Sequence, residues 1–346
     1  LGLVVAVNTV VGGFVSPLAG RFVDRKGGGS ALQTLFYVAA VAFLLTAAAP
    51  GLTVLVLAAL IGGAAQALAN PATNKVIAYR YPPAERANVT GIKQSGVQLA
   101  IFLGGLTLPS LAAWMGWRWA TVLVAGGVVA GGVSLFVVRQ GRSSGAGEVA
   151  PAGSQPIGPA VPWLAIYGLL MGFSGSALFF LPLYAEEELG QSVQVAGIAV
   201  AIAGIAAVIG RLVWARYAER GSRYQVTLAI LAALAVAGLW LFTQADGAIW
   251  PLWAGAVIVG ASSSSWNSVG MLAVIDGSMA QGAGAASGRV LLGFLVGLGA
   301  GPPVYGQTAD TSGSYDTMWL IAAVAAAIAL VVIGLWRATD RDGQSA

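Results

Sequence analysis

Two cations stand inside long apolar runs: Lys93 in NVTGIKQSGVQLA and Arg289 in AASGRVLLGF. An ionisable side chain in such a place is costly unless a partner or a function holds it, so each marks a candidate site. Together they would suit a small anion, with Arg offering a planar fork to a carboxylate and Lys a point charge. Uncharged polar side chains spaced by four, and so sharing one helix face, accompany them: Gln66, Asn70 and Asn74 in one run, Gln94 and Gln98 in the next, Ser263 and Asn267 within SSSSWN. Trp266 lies in that last motif; Tyr167, Phe173, Ser174 and Ser176 occupy another run, and Asn8 lies near the start. Polar groups aimed at lipid are disfavoured, so these stripes are expected to face a bundle interior. There they either line a solute cavity or form interhelical hydrogen bonds worth about 0.6 kcal/mol each.

Enzymatic chemistry finds little to work with. The chain has no Cys and no His, which removes thiol nucleophiles, imidazole bases, disulfides and the usual zinc ligands. No Asp or Glu falls in the middle of an apolar run, and GLGAG lacks both a preceding strand and a following G-K-[ST], so it is no phosphate loop. The expectation is a protein that is not an enzyme and carries no cofactor and no metal. The net charge of +4 comes from residues dispersed between apolar runs, which does not fit nucleic acid.

The elements that must position these residues are membrane helices. Of 346 residues 58% are hydrophobic and 9% charged, against roughly 25% charged in a soluble domain. Apolar runs near twenty residues long recur throughout, enough to cross a hydrocarbon core about 30 Å thick. Spans are expected at 1–19, 30–49, 52–78, 89–112, 119–138, 161–185, 192–214, 224–244, 249–275, 285–308 and 316–337. The Gly/Ser/Pro-rich stretch 140–160 reads as a linker between one half at 1–139 and another at 161–346. Alternating sides at each span places all of the 17 Lys and Arg residues except Arg118 on one face. That face is expected to be cytoplasmic, with the linker and C-terminus, in a multi-pass protein of the cell membrane.

The halves repeat. GRFVDRKGG (20–28) aligns with ARYAERGSR (215–223), so that Arg21, Asp24 and Arg25 meet Arg216, Glu219 and Arg220 at an offset of 195. Gly63, Asn70, Gly91, Gly96 and Gly104 meet Gly260, Asn267, Gly288, Gly293 and Gly301 at 197. The span at 161–185 finds no partner in the first half, so a preceding helix is expected to complete two sets of six.

GRFVDRKGG resembles the signature loop between the second and third helices of the major facilitator superfamily, written G-x-L-x-D-R-x-G-R, and ARYAERGSR resembles its weaker copy in the second half. GWRWA (116–120) is similar to the family's lead-in to helix 6, and GPPVYGQTADTSGSY (301–315) to the end of helix 11 and the loop after it, where there is also a weak likeness to organic-anion and cyanate-type carriers. The signature's trailing basic residues are replaced by Gly28, Gly29 and Ser30, and the antiporter ending G-P-x-x-G-G is absent from GGLTLPSL. The resemblance implies an all-α membrane protein of two pseudo-symmetric six-helix halves, with eleven of its twelve helices here, that moves a small solute by alternating access.

Beside an anion site or simple snorkelling, the two cations have a further reading with the matched acids, as latches of a cytoplasmic gate built from Gly20, Asp24, Arg25, Arg216, Glu219, Arg220, Lys93 and Arg289. In that gate Asp24 is expected to bond Arg289 and the start of its helix, and Glu219 to bond Lys93 and the start of its helix, because a helix N-terminus favours a carboxylate. The scarcity of acids within the spans, with Lys93, Arg289 and Arg211, leans the solute towards an organic or inorganic anion. Efflux of a drug or neutral metabolite, and a non-transporting sensor of the same fold, stand beside that reading. The expected partners are the solute, a coupling ion (a proton or an exchanged anion) and the lipid bilayer, for a monomeric protein.

Overall fold

A computed structural model of the chain describes residues 2–140, 158–220, 223–245, 247–277 and 282–345. They form helices α1 (Gly2–Lys26), α2 (Gly28–Ala48), α3 (Leu52–Arg80), α4 (Pro83–Met115), α5 (Trp117–Gln140), α6 (Ala160–Ser176), α7 (Val193–Glu219), α8 (Tyr224–Phe242), α9 (Trp250–Ser262), α10 (Trp266–Gly277), α11 (Ala283–Ser312) and α12 (Asp316–Ser345). Helix α6 runs on to Glu188 through a 3₁₀ turn at Ala177–Phe180, a short turn at Leu181–Leu183 and a π turn at Tyr184–Glu188. Each expected span falls on a helix or, in one case, on two. Among the described residues nine helical segments are long and apolar enough to cross a membrane, and residues 141–157 of the expected linker lie outside the described residues.

Two features go beyond the hydropathy pattern. The span expected at 249–275 is two helices, α9 and α10, interrupted at Ser263–Ser265, where consecutive serines offer hydroxyls that compete for the helical carbonyls. Helix α4 has 33 residues with Pro83 in its first turn, which makes it about 50 Å long. It therefore keeps Glu85, Arg86 and Asn88 in helical form, although they lie between the spans expected at 52–78 and 89–112. Several joints are glycines in the left-handed region, among them Gly27 at φ 85° and Gly116 at φ 83°, where a Cβ would be strained.

The outward faces are apolar: Phe14, Leu18, Ile205, Ile209 and Val331 are all exposed, an arrangement suited to lipid and not to water. The chain sorts into two compact units. The first comprises Leu1–Pro82, Leu99–Val161 and Val274–Leu292, and the second Pro83–Gln98, Pro162–Ala273 and Gly293–Ala346. In the first unit α3 packs against α1 and α2, and α2 against α5, around small residues such as Ala19, Ala31, Ala67 and Ala72. In the second, α9 packs on α7 and α8, and α8 on α12, around an aromatic cluster in which Trp319 lies 4.5 Å from Phe242 and 5.4 Å from Tyr184, ring centre to ring centre.

The internal repeat reappears as contacts. A Cβ on Gly63 would sit 2.6 Å from the carbonyl oxygen of Asn8, and a Cβ on Gly260 would collide with the carbonyl of Ala203. Asn8 and Ala203 differ by the loop offset of 195, Gly63 and Gly260 by the span offset of 197. The same helix crossing is thus built twice, once in each unit, and each copy requires the missing side chain. Gly204, one residue on from Ala203, has open space around its Cβ position. Gly260→Ala is expected to destabilise the protein by about 1–3 kcal/mol, the range for overpacking a tight contact, while Gly204→Ala leaves the melting temperature in detergent unchanged or higher.

Candidate gate and candidate solute site

Helix α1 ends in the signature loop, and its last turn presents Asp24 to the first turn of α11. The carboxylate accepts the backbone N–H of Gly284 (3.1 Å) and of Ala285 (2.7 Å). These are N–H groups that no carbonyl within α11 can reach, and the helix dipole adds to the attraction, up to about 2 kcal/mol in partly buried geometries. Gly20 lets the chains approach: any Cβ there would strike the Gly284 carbonyl. Farther along the contact Ser16 Oγ donates to the Gly288 carbonyl (2.6 Å) and Asn74 Nδ2 to Ser287 Oγ (2.8 Å).

The cation on Asp24 corrects the sequence reading. Lys75 Nζ lies 3.2 Å from Oδ1 and donates at 2.9 Å to the Asp24 carbonyl. Arg289 stands four residues beyond Ala285, about 6 Å deeper along α11, whereas Asp24 binds only the first turn. Burial raises the Asp24 carboxyl above the usual carboxylate range, against the Ala285 N–H, Lys75 and the Gly284 N–H, which all lower it. Arg25 is exposed at the end of α1.

The second unit repeats this docking with different chemistry. Gly91 of α4 approaches Arg211 and Leu212 of α7 as Gly288 approaches Ser16 and Pro17 of α1, and the offsets again match. Here the tie is a buried arginine: Arg211 Nη1 donates to the Gln94 carbonyl (2.9 Å), and Nε and Nη2 donate to the Ser264 carbonyl (3.0 and 2.7 Å). Arg211 therefore fastens α4 and the α9–α10 break to α7, and each of its three guanidinium nitrogens already donates to protein. Arg216 Nη2 donates to Asn88 Oδ1 (2.7 Å) in the first turns of α4. Glu219, the counterpart of Asp24, leaves its Oε1 buried without a hydrogen-bond partner among the described residues. The span offset that carries Asn70 onto Asn267 carries Lys75 onto Leu272. Leu272 packs against Ala87 and Ala215, so apolar contact replaces the ion pair. Lys93 is half-buried on α4 and Arg220 exposed just past α7.

The polar stripes divide into spent and unspent groups. Asn74 is taken by Ser287; Tyr167 is fully buried and donates to the Leu228 carbonyl (2.8 Å). Trp266 is buried between Tyr167 and Phe294, with both ring distances 5.6 Å, so it packs as core. Gln94 is buried and Asn70 half-buried; the Gln98 side chain lies outside the described residues. Unspent are Gln66 Oε1, Ser174 Oγ, Ser263 Oγ, Asn267 Oδ1 and, on α11, Arg289 Nη1, each buried and without a hydrogen-bond partner among the described residues. Gln66 and Asn8 are polar members of an otherwise largely apolar groove of about 470 Å³ between α1, α2 and α3. Ser263 lies beside Gly175, whose Cβ position is 3.5 Å from the serine's, so Ser174 and Ser263 belong to neighbouring turns of α6 and the α9–α10 break.

Sequence reasoning missed Lys75, Ser16 and the structural use of Arg211. Lys75 carried a signal, because a lone lysine at the end of an apolar run needs a carboxylate partner. Ser16 carried none, since its bond is to a backbone carbonyl. The acids Glu187 and Glu188 also serve the structure. Glu188 accepts the Ser314 hydroxyl (2.7 Å) and the Tyr315 N–H (2.6 Å), and Glu187 accepts the Tyr315 hydroxyl (2.6 Å). Burial first, and then Glu187, raises the Tyr315 phenol above its usual range.

Removing one member of a buried ion pair costs about 3–5 kcal/mol, because the survivor is left uncompensated. Asp24→Asn is therefore expected to lower the melting temperature. Adding Lys75→Leu, which installs the second unit's solution, should recover most of the loss; a double variant no more stable than Asp24→Asn alone would show that the pair does not act as a unit.

A family profile described as Major Facilitator Superfamily matches this chain over residues 1–288 and again over 187–346. An uncharacterised MFS-type transporter of Mycobacterium tuberculosis is 27% identical over 298 residues, covering 80% of this chain and 63% of the relative. The chain thus spans less than two thirds of that relative's length. Among solved structures, the human organic anion transporter MFSD10 superposes with a TM-score of 0.77 at 15% identity, covering 96% of this chain and 83% of that one. The Escherichia coli fucose:proton symporter FucP gives 0.74 at 17%, covering 96% and 90%, and a bacterial homologue of the iron transporter ferroportin gives 0.72 at 14%, covering 96% and 89%. With the family profile running across the chain, the fold shared with these transporters and the signature acid seated on α11, the chain belongs to the major facilitator superfamily.

Proposed function

We propose that the chain works as a secondary active transporter that carries a small organic or inorganic anion across the cell membrane by alternating access. One observation supports the anion above the other solutes: Arg289 keeps Nη1 buried without an acceptor among the described residues. A buried donor left unpaired costs about 1–3 kcal/mol, and more when charged, so a side chain kept in this state suits a site whose acceptor arrives as ligand. The role first expected for Arg289, neutralising Asp24, is filled by Lys75, which leaves Nη1 open to a carboxylate or other oxyanion. Lys93 on α4 is the second cation within the apolar runs. Arg211 is set apart from Arg289 because each of its three guanidinium nitrogens already donates to a backbone carbonyl.

Alternating access requires the starts of α11 and α4, which the charge pattern places on one face, to leave the ends of α1 and α7 together when that face opens and to return when it closes. The two dockings support this in their form: each is a helix end held by a few polar bonds and glycine contacts. A coupling ion, proton or exchanged anion, completes the cycle. A second reading, efflux of a neutral polar metabolite, draws on Gln66, Ser174, Ser263 and Asn267, whose unspent atoms would suit hydroxyl or amide groups.

A thermal-shift panel of small carboxylates, inorganic anions and neutral polyols, followed by counterflow of the hit in proteoliposomes, separates these readings. An anion is expected to raise the melting temperature, and Arg289→Gln to weaken its binding at least about tenfold without lowering the stability of the unliganded protein, since it removes an unpaired buried donor. Stabilisation by neutral solutes only, or full anion binding in Arg289→Gln, would contradict the anion assignment. No exchange across the whole panel would favour a sensor.

A further inference from the structure

A groove of about 400 Å³ runs along the outer face of the second unit, between α7 and α9. Its walls are almost wholly apolar: Ile205, Ile209, Val213 and Trp214 on α7, and Val257 and Ala261 on α9. Ile205, Ile209, Val213 and Val257 are all exposed. Trp214 uses its Nε1–H on the Ala261 carbonyl (2.9 Å), so the indole nitrogen does not ask for a polar ligand.

What lies at its end is different. Ile205, Ile209 and Val213 are spaced by four and so form one stripe on α7. Three residues beyond Val213 the stripe reaches Arg216, and four beyond that Arg220, both exposed. Trp214 and Tyr217 stack edge to face there at 6.1 Å, an aromatic pair of the kind that collects at the headgroup level. Arg223, also exposed, holds its guanidinium 5.9 Å from the Tyr217 ring. The order from midspan to helix end is therefore apolar channel, aromatic pair, three arginines. From Ile205 to Val213 is about 12 Å of helix, enough for a substantial part of an acyl chain. This end of α7 is the one that charge asymmetry assigns to the cytoplasmic leaflet, where anionic lipids concentrate.

We infer that the α7–α9 groove with Arg216, Arg220 and Arg223 is a binding site for an anionic phospholipid, its acyl chain along Ile205, Ile209 and Val213 and its phosphate at the arginines. The site shares no residue with Arg289 or the polar stripes, so it stands independently of the anion reading. It also has a consequence for the docking of α4. Arg216 holds Asn88 in the first turns of that helix, so a phosphate drawing on the same guanidinium alters the hold of α7 on α4.

Native mass spectrometry of the delipidated full chain, titrated with phosphatidylglycerol or phosphatidylcholine of matched acyl chains, tests the site. Phosphatidylglycerol is expected to bind at least about tenfold more tightly. The variant Arg220→Gln/Arg223→Gln should abolish that preference while keeping chain binding, and Ile209→Trp, which fills the groove from a lipid-facing position that folding does not use, should weaken both lipids. Equal retention of the two lipids by the unmodified chain, or an unchanged preference in the arginine variant, would overturn the headgroup assignment. Unchanged lipid retention in Ile209→Trp, or displacement of the lipid by glycerol phosphate alone, would overturn the groove.

Discussion

The candidate gate depends on a carboxylate that satisfies the start of a helix belonging to the other half of the sequence. The first N–H groups of α11 have no partner within α11, and Asp24 at the end of α1 accepts two of them. Everything near that contact serves it: Gly20 and Gly284 remove side chains from the approach, Lys75 balances the charge, and Ser16 and Asn74 extend the seam by one hydrogen bond each. It explains why Val274–Leu292 groups with the first half's helices, and the matching docking of α4 on α7 why Pro83–Gln98 groups with the second's, cutting across the boundary that the linker suggested.

The repeat preserves this geometry and changes its chemistry. The glycines Gly63 and Gly91 correspond to Gly260 and Gly288, yet Gly20 and Gly284 are matched by Ala215 and Ala87, Lys75 becomes Leu272 and Ser16 becomes Arg211. In the first unit the charge sits on the acid and its lysine. In the second the buried guanidinium of Arg211 reaches two backbone carbonyls, and the acid's own cation is replaced by packing of Leu272 with Ala87 and Ala215. Two dockings of unequal electrostatic content respond differently to charge arriving nearby, whether solute, proton or lipid headgroup.

Much of this was legible from residue order. A helix covers each stretch that hydropathy marked, and among the described residues nine helical segments are long and apolar enough to cross a membrane, because a helix that crosses lipid must be apolar over its whole length. Comparison of the halves found Asp24 and Glu219, whose type and position survive duplication. It also found Gly63 and Gly260, for which only the missing side chain permits the crossing. The identity of the cation on Asp24 was not legible. Lys75, Lys93 and Arg289 look alike as lone cations in apolar runs, and which one reaches the carboxylate depends on depth along a neighbouring helix. The break at Ser263–Ser265 was hidden for another reason, since serines are tolerated in a membrane helix and only their hydroxyl partners reveal the interruption. Tyr167 and Trp266 read as cavity residues from their polar atoms, but the structure uses the tyrosine hydroxyl on a carbonyl and the indole in packing.

Alternating access, as proposed, makes the seat of α11 on Asp24 one of two states. The chain has no cysteine, so spin labels at Arg25→Cys and Gly282→Cys report that contact without removing native thiols. Pulsed electron resonance in nanodiscs is predicted to show two distances, one matching the seated helix and one longer, with their proportions changed by the solute and the longer enriched in Asp24→Asn. A single short distance under every condition, unmoved by Asp24→Asn, would contradict the account.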